Sequence, residues 1–136
     1  MRSCLTSEEI KTRLSLAGVN PTAQRIAICR FVLCDADHPT ADDVKTWADK
    51  NFPMVSRATV YNTLNTLVQV KILKEVRVSH SNKVMYDSNT EHHYHFFDET
   101  SGKLIDIDPD RVEVKADLPK GFKMHEMEIV FKGKVK

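Results

Sequence analysis

The first sixty residues repeat one signal: a hydroxyl-bearing residue able to cap a helix, followed by apolar residues at helical spacing. Thr6-Ser7-Glu8-Glu9 has the Thr-x-x-Glu capping form, and Ile10, Leu14 and Ala17 follow before Gly18 stops the run. Pro21-Thr22 opens a second run carrying Ile26, Ile28, Phe31, Val32 and Leu33. His38-Pro39-Thr40 opens a third, with Thr40 as cap and Asp42 and Asp43 in the first turn, where the helix dipole favours acids; Pro53 closes it. Ser56 caps a fourth, from Arg57 to Leu67. Four capped, amphipathic helices in succession predict a small helical unit at the front of the chain.

The fourth helix carries the most information. At 100° per residue Val60, Leu64 and Leu67 make an inward stripe, while Ala58, Asn62, Asn65 and Thr66 face away. Arg57 lies in the first turn and Tyr61 beside the stripe. Helix-turn-helix proteins lay such a helix in the major groove of DNA. There arginine reads guanine, asparagine reads adenine, and an apolar ring packs on thymine methyls. Leu73 to Val78 then alternates apolar and charged residues as a half-buried strand does; Ser79 to Asn82 reads as a turn, and Lys83 to Tyr86 as the return. Helices followed by a two-stranded wing predict a winged helix, although any small helical bundle also shows capped helices.

Composition agrees with two jobs. The chain has 136 residues, 29% charged and 41% hydrophobic, enough for one ordinary domain or two small ones. Residues 1–86 hold 12 Lys/Arg against 8 Asp/Glu, a balance of +4, whereas residues 87–136 hold 8 against 11, a balance of −3. Four of the six histidines fall in the second part. A basic front suits a polyanion and an acidic, histidine-rich back suits a metal cation, with chance variation of a solvated surface as the plainer reading. No apolar run approaches the ~20 residues of a membrane span. The opening MRSCLTSEEI lacks the apolar stretch of a secretory signal, which predicts a cytoplasmic protein. Three cysteines (Cys4, Cys29, Cys34) without a Cys-x-x-Cys pair argue against both a disulfide scaffold and a cysteine-bound zinc.

After Asp87 the stretch Ser88-Asn89-Thr90-Glu91 reads as a hinge, giving domains over 1–87 and 92–136 with 88–91 between them. His92-His93-Tyr94-His95-Phe96-Phe97 reads as a strand in which His93 and His95 share a face. Glu99-Thr100-Ser101-Gly102 is a turn and Lys103 to Ile107 the return, so pairing Asp98 with Lys103 sets Asp106 opposite His95. Residues 109–118 are expected as a short helix, and Phe122 to Phe131 as a further strand carrying His125. Two imidazoles and a carboxylate on one face, without thiolate, suit a mid-row divalent ion such as Fe(II) or Mn(II); Zn(II) binds such sets in vitro. A solvated polar strand is the competing reading.

Taken together, Thr22-Ala23-Gln24-Arg25, His38-Pro39-Thr40-Ala41-Asp42-Asp43, Ala58-Thr59-Val60-Tyr61-Asn62, His93-Tyr94-His95 and Gly102-Lys103-Leu104-Ile105-Asp106 resemble the Fur family of metal-dependent repressors over about residues 10–131. Within it the chain is most similar to the peroxide-sensing PerR branch. The resemblance implies an α+β chain, with an N-terminal winged helix-turn-helix domain and a small α/β dimerisation domain, acting as a homodimer on double-stranded palindromic operator DNA. It implies a regulatory metal held by His38, Asp87, His93, His95 and Asp106. Both acidic positions are Asp, as in the peroxide-sensing branch, where the iron sensors carry Glu. It further implies Arg25 at phosphates, Arg57, Tyr61 and Asn62 at the operator, and His38 and His93 as the residues oxidised by peroxide.

Two features depart from or extend that pattern. The family's two Cys-x-x-Cys pairs, which hold a structural zinc, have no counterpart: the first would fall at Asp98 and Ser101 and the second near Gly133. The dimer domain is therefore expected to hold by packing alone. Missing cysteines and a His-rich strand also resemble the haem-responsive Irr branch, although no Cys-Pro haem motif is present. His92, Glu113 and His125 match an accessory metal site of some members. An enzyme that activates water at an open metal site, or a metal store, would leave the fourth helix without a purpose, and no positioned general base is evident; the chain reads as a non-enzyme.

Overall fold

The computed structural model describes residues 4–78 and 83–136. The expected turn at Ser79–Asn82 lies outside the described residues. The chain divides into two compact units, Met1–Thr90 and Glu91–Lys136.

In the first unit, α1 (Ser7–Leu16) starts at Thr6, whose side chain accepts from Glu9 N while the Glu9 carboxylate accepts from Thr6 N. Thr22 caps α2 (Ala23–Arg30), Thr40 caps α3 (Ala41–Asn51) in a second reciprocal box with Asp43, and Ser56 caps α4 (Arg57–Gln69). Every expected cap is present. These short helices are stabilised chiefly by their shared core, in which Ile10, Leu14, Ile28, Val32, Leu33, Val44, Val60, Leu64 and Leu67 are at most 2% exposed. The stacked rings of Phe31 and Trp47, 4.4 Å apart, close its edge.

The second run does not continue as an α-helix through Leu33. At Phe31 it widens into a π turn (Phe31–Asp35), closed by Ala36 N donating to the Phe31 carbonyl at 2.8 Å. The extra residue per turn keeps Val32 and Leu33 buried while it ends the helix. After α4, Lys71 in the left-handed region (φ 63°) turns the chain into β1 (Lys74–Arg77). β1 pairs antiparallel with β2 (Val84–Asp87), from Lys74 opposite Asp87 to Arg77 opposite Val84. Four helices and a two-stranded ribbon make the expected winged helix.

In the second unit, β3 (Tyr94–Asp98) pairs antiparallel with β4 (Lys103–Ile107), and His95 stands opposite Asp106 as expected. Gly102, at φ 73°, supplies the left-handed residue that the tight turn needs. β5 (Val130–Gly133) lies parallel to β3 on its other side, in the order β4-β3-β5. The expected helix over 109–118 is corrected to a single 3-10 turn, Pro109–Arg111, and the expected strand from Phe122 shortens to β5, leaving His125 outside it. The cause is packing: every residue from 113 to 126 is exposed, so neither a helix nor a longer strand has an apolar face to bury.

The expectation against a disulfide is also corrected. Cys4 and Cys34 are bonded, and Cys29 is a free, buried thiol. Their 30-residue separation carries no spacing signal; the packing of α1 on α2 brings them together. No helix among the described residues is long and apolar enough to cross a membrane.

Candidate metal centre

Within the first unit the wing positions His38. Thr40 makes an antiparallel bridge to Met85, and Tyr86 N donates to the Pro39 carbonyl at 2.9 Å. Two residues further along that register, His38 falls opposite Asp87. Its Nε2 lies 3.4 Å from Asp87 Oδ2, with side-chain exposures of 8% and 4%. Asp87 Oδ1 accepts from Asn89 N at 2.9 Å, which fixes the carboxylate. His38 Nδ1 meets Asp37 Oδ1 at 2.8 Å. A carboxylate can only accept there, so Nδ1 donates to Asp37 and the ring is held with Nε2 toward Asp87. His38 itself has φ 45°, a left-handed conformation that a non-glycine residue adopts under local constraint.

Within the second unit the β3–β4 hairpin gathers three donors. His93 Nε2 and His95 Nε2 are 3.1 Å apart, and Asp106 Oδ1 lies 3.3 Å from the first and 3.4 Å from the second. Both histidines are buried and Asp106 is exposed. His93 Nδ1 meets the Glu91 carbonyl at 2.6 Å, so it donates, and the ring is held with Nε2 facing the other two atoms. Divalent-metal bonds to N and O of about 2.1 Å place adjacent donors roughly 3.0 Å apart at right angles and about 3.4 Å apart at tetrahedral angles. The observed triangle has that size. An imidazole that donates through Nδ1 to a carbonyl or carboxylate, as His38 and His93 do, has the usual orientation of a metal-ligating histidine. His38 with Asp87, and His93 with His95 and Asp106, therefore fit a divalent cation by donor type and spacing.

The other expected site residues are placed as follows. On α4, Val60, Thr63, Leu64 and Leu67 are buried while Arg57, Ala58, Tyr61, Asn62 and Asn65 are exposed. Arg57 donates to Asp42 Oδ1 at 2.8 Å; the Asp42 hydrogen bond, then that of Tyr61, raises its pKa further. Arg25, half-buried at the start of α2, donates to the Asn20 carbonyl at 2.8 Å. His92 shares a 3.1 Å hydrogen bond with Tyr94 Oη, and no hydrogen bond or ion pair among the described residues joins it to Glu113 or His125.

Three contributors were not read from the sequence. Asp37 and the Glu91 carbonyl accept from Nδ1 of His38 and His93 and orient their rings; the adjacency of Asp37 to His38 was the one available signal. Asp98 stands where the family's first cysteine would fall. Its carboxylate accepts from Ser101 Oγ at 2.7 Å, Thr100 N at 3.0 Å and Val135 N at 3.4 Å, tying the turn to the chain beyond β5. The Ser101 hydrogen bond, followed by those of the backbone, holds its pKa below the ordinary value against the opposing effect of burial. Packing is thus not the only thing that holds this sheet; the hydrogen-bonded carboxylate of Asp98 ties its turn as well.

Comparison with known proteins matches these features. The ferric uptake regulator family matches residues 16–132. The peroxide-responsive repressor PerR of Staphylococcus aureus is 39% identical over 100 residues, covering 74% of this chain and 67% of that protein. Among solved structures, the ferric uptake regulator Fur of Helicobacter pylori, described with three functional metal-binding sites, aligns over 98% of this chain and 95% of its own with a TM-score of 0.72 at 21% identity. PerR of Streptococcus pyogenes, described as a peroxide sensor, aligns over 98% and 94% with a TM-score of 0.56 at 25% identity. The chain belongs to the ferric uptake regulator family of metal-dependent transcriptional regulators, which are not enzymes.

Proposed function

We propose that the chain is a cytoplasmic, peroxide-responsive repressor that holds one Fe(II) or Mn(II) through His38, Asp87, His93, His95 and Asp106. The observation that carries this reading is the His93–His95–Asp106 triangle, in which the Nε2 atoms of both imidazoles and a carboxylate oxygen converge within 3.4 Å, in a chain 39% identical to a peroxide-responsive repressor. Ligands drawn from both units make metal affinity depend on how the units are arranged, which is the requirement for a ligand to shift a population. A coupling of ~1–3 kcal/mol changes operator affinity roughly 5- to 150-fold.

The working form is a homodimer on a palindromic double-stranded operator. Among the described residues, seven of the ten exposed large hydrophobic ones (Ile105, Val114, Leu118, Phe122, Met124, Phe131 and Val135) lie in the second unit, more apolar surface than so small a unit keeps in water unless it associates. In the first unit α4 presents Arg57, Tyr61 and Asn62 for base edges, and Arg25 serves a phosphate. The Arg57–Asp42 pair has side-chain exposures of 61% and 71%, so its exchange for a nucleic-acid contact costs little.

A ferrous ion held by these residues would activate peroxide, whereas a manganous ion would do so poorly, and the two electrons would come from the ligand ring. His38 and His93 are the ligands expected to be oxidised: a ring C–H becomes C–OH while the peroxide's second oxygen leaves as water. The modified ring is a poorer ligand, and operator affinity falls. The test is peptide mass spectrometry and operator gel shift on iron-loaded and manganese-loaded protein after peroxide. One added oxygen on the His38 or His93 peptide, in the iron form alone and with loss of operator binding, is the expected result. Unmodified histidines, with release of DNA by haem instead, would overturn it.

A further inference from the structure

All three cysteines lie in residues 1–90, and they are not alike. Cys4 and Cys34 are bonded, with Cα atoms 5.1 Å apart. Cys4 is exposed and Cys34 half-buried, so small oxidants and reductants reach the bond from the Cys4 side. Cys29 is fully buried, and burial pushes its thiol up to about 12, so it stays protonated and takes no part in exchange. The thiol chemistry of the unit is therefore confined to one pair. In the cytoplasm assigned under the proposed function, disulfides are mostly transient and redox-sensing.

The bond also has a telling position. It ties the segment ahead of α1 to the π turn Phe31–Asp35 that ends α2. Asp37 and His38 follow that turn almost directly, and His38 holds its left-handed conformation with Nε2 toward Asp87. Whether the turn is tethered at Cys34 bears on how firmly the imidazole is presented four residues later.

We propose that Cys4 and Cys34 form a second oxidant-responsive site, a dithiol–disulfide pair that consumes hydroperoxide without a metal and whose oxidation tightens the Asp37–His38 turn for metal binding. From the reduced state, the Cys4 thiolate attacks one peroxide oxygen; the O–O bond breaks, and the departing hydroxide takes a proton to become water. The Cys34 sulfur then attacks the resulting sulfenic sulfur. An S–S bond forms, the S–O bond breaks, and the leaving hydroxide takes the Cys34 proton as a second water. Two thiols lose two electrons and one peroxide gains them.

The thiol chemistry is independent of the proposed regulatory metal; only its effect on His38 rests on that assignment. The experiment uses the full chain, reduced with dithiothreitol under native conditions and desalted without oxygen. It is loaded with Mn(II), so that histidine oxidation does not interfere, and given one equivalent of hydrogen peroxide. Alkylation and peptide mass spectrometry should show the Cys4 and Cys34 thiols lost together as a linked peptide. Cys29 should be alkylated only after unfolding, and His38 and His93 should be unmodified. Mn(II) titration should show at least about fivefold tighter binding by the oxidised form, with Cys4→Ser behaving as the reduced form under both conditions. If Cys4→Ser does not fold, the wild-type oxidised and reduced forms carry the comparison. A bond that native dithiothreitol cannot open, thiols that survive peroxide, or equal Mn(II) affinity in the two forms would overturn the proposal. Histidine oxidation failing in the iron form would leave the linked peptide intact, so the two readings fail separately.

Discussion

At the scale of single residues, the candidate ligands do little without the atoms that aim them. His38 was legible because a histidine directly before a Pro-Thr helix start belongs to a recognisable pattern, and His93 and His95 because alternation puts them on one face. Asp37 was not, since its part depends on a side-chain contact that spacing does not encode. Its Oδ1 accepts from His38 Nδ1 at 2.8 Å and so holds the ring with Nε2 toward Asp87. Removing such an orienting partner typically costs about 10- to 100-fold in metal affinity. Asp37→Ala is therefore expected to weaken Mn(II) binding by that factor in a calorimetric titration, with thermal stability of the metal-free protein nearly unchanged because the Asp37 side chain is 69% exposed. Unchanged Mn(II) affinity would show that His38 is not a ligand or is aimed by something else.

At the scale of elements, what was legible is what repeats. Caps and a 3.6-residue period located α1 to α4, and the four-residue turn at Glu99–Gly102 fixed the β3–β4 register down to His95 opposite Asp106. The π turn was invisible because Phe31, Val32 and Leu33 read equally well as more α-helix. The helix expected over 109–118 and the strand expected from Phe122 were misread because the apolar residues between 113 and 126 face solvent rather than a core. Two predictions belong here. If α4 enters the groove, Asn62→Ala should weaken operator binding by ~1–3 kcal/mol and leave random DNA nearly unaffected, whereas Arg25→Ala should weaken both and lower the salt slope by about one unit. Fluorescence anisotropy at several salt concentrations separates the two; equal losses on both DNAs for Asn62→Ala would place the recognition surface elsewhere. The second concerns Asp98, whose pKa in the folded state lies below the ordinary carboxylate value, chiefly through the Ser101 hydroxyl. A group depressed on folding contributes stability that is fully present above its unfolded pKa, about 3.9, and is lost as the pH falls through the folded value. Asp98→Asn should accordingly unfold at lower temperature than wild type at neutral pH, with the two melting temperatures converging below about pH 4. A gap of constant size across that range would mean that the carboxylate charge is not what matters.

At the scale of the whole molecule, the question is what holds a dimer of this family together when the thiolates are elsewhere. No cysteine lies between residues 91 and 136, and of the three present one is buried and two are bonded to each other in residues 1–90. A structural zinc needs four such ligands or their imidazole equivalents arranged as a closed cage. The three-donor cluster of the second unit is instead gathered on one face of a hairpin, where Asp106 is 43% exposed by side chain. In place of the cage, Asp98 pins the β3–β4 turn to Val135, and Tyr94 and Leu104 are buried at 4% and 3%. Ile105 and Phe131, on the outer strands β4 and β5, are left apolar and exposed. A dimer built on that surface is held by burial of apolar area, which chelators do not touch. Exhaustive treatment with a chelator should therefore remove the regulatory metal and operator binding while leaving the dimer intact in sedimentation equilibrium, and metal analysis should find no zinc retained. Charged substitution of the apolar surface, for example Phe131→Glu, should in contrast dissociate it with the β3–β4 hairpin still folded. Loss of the dimer on chelation, with one zinc released per chain, would mean that a metal cage of other ligands does the work assigned here to Asp98 and apolar contact.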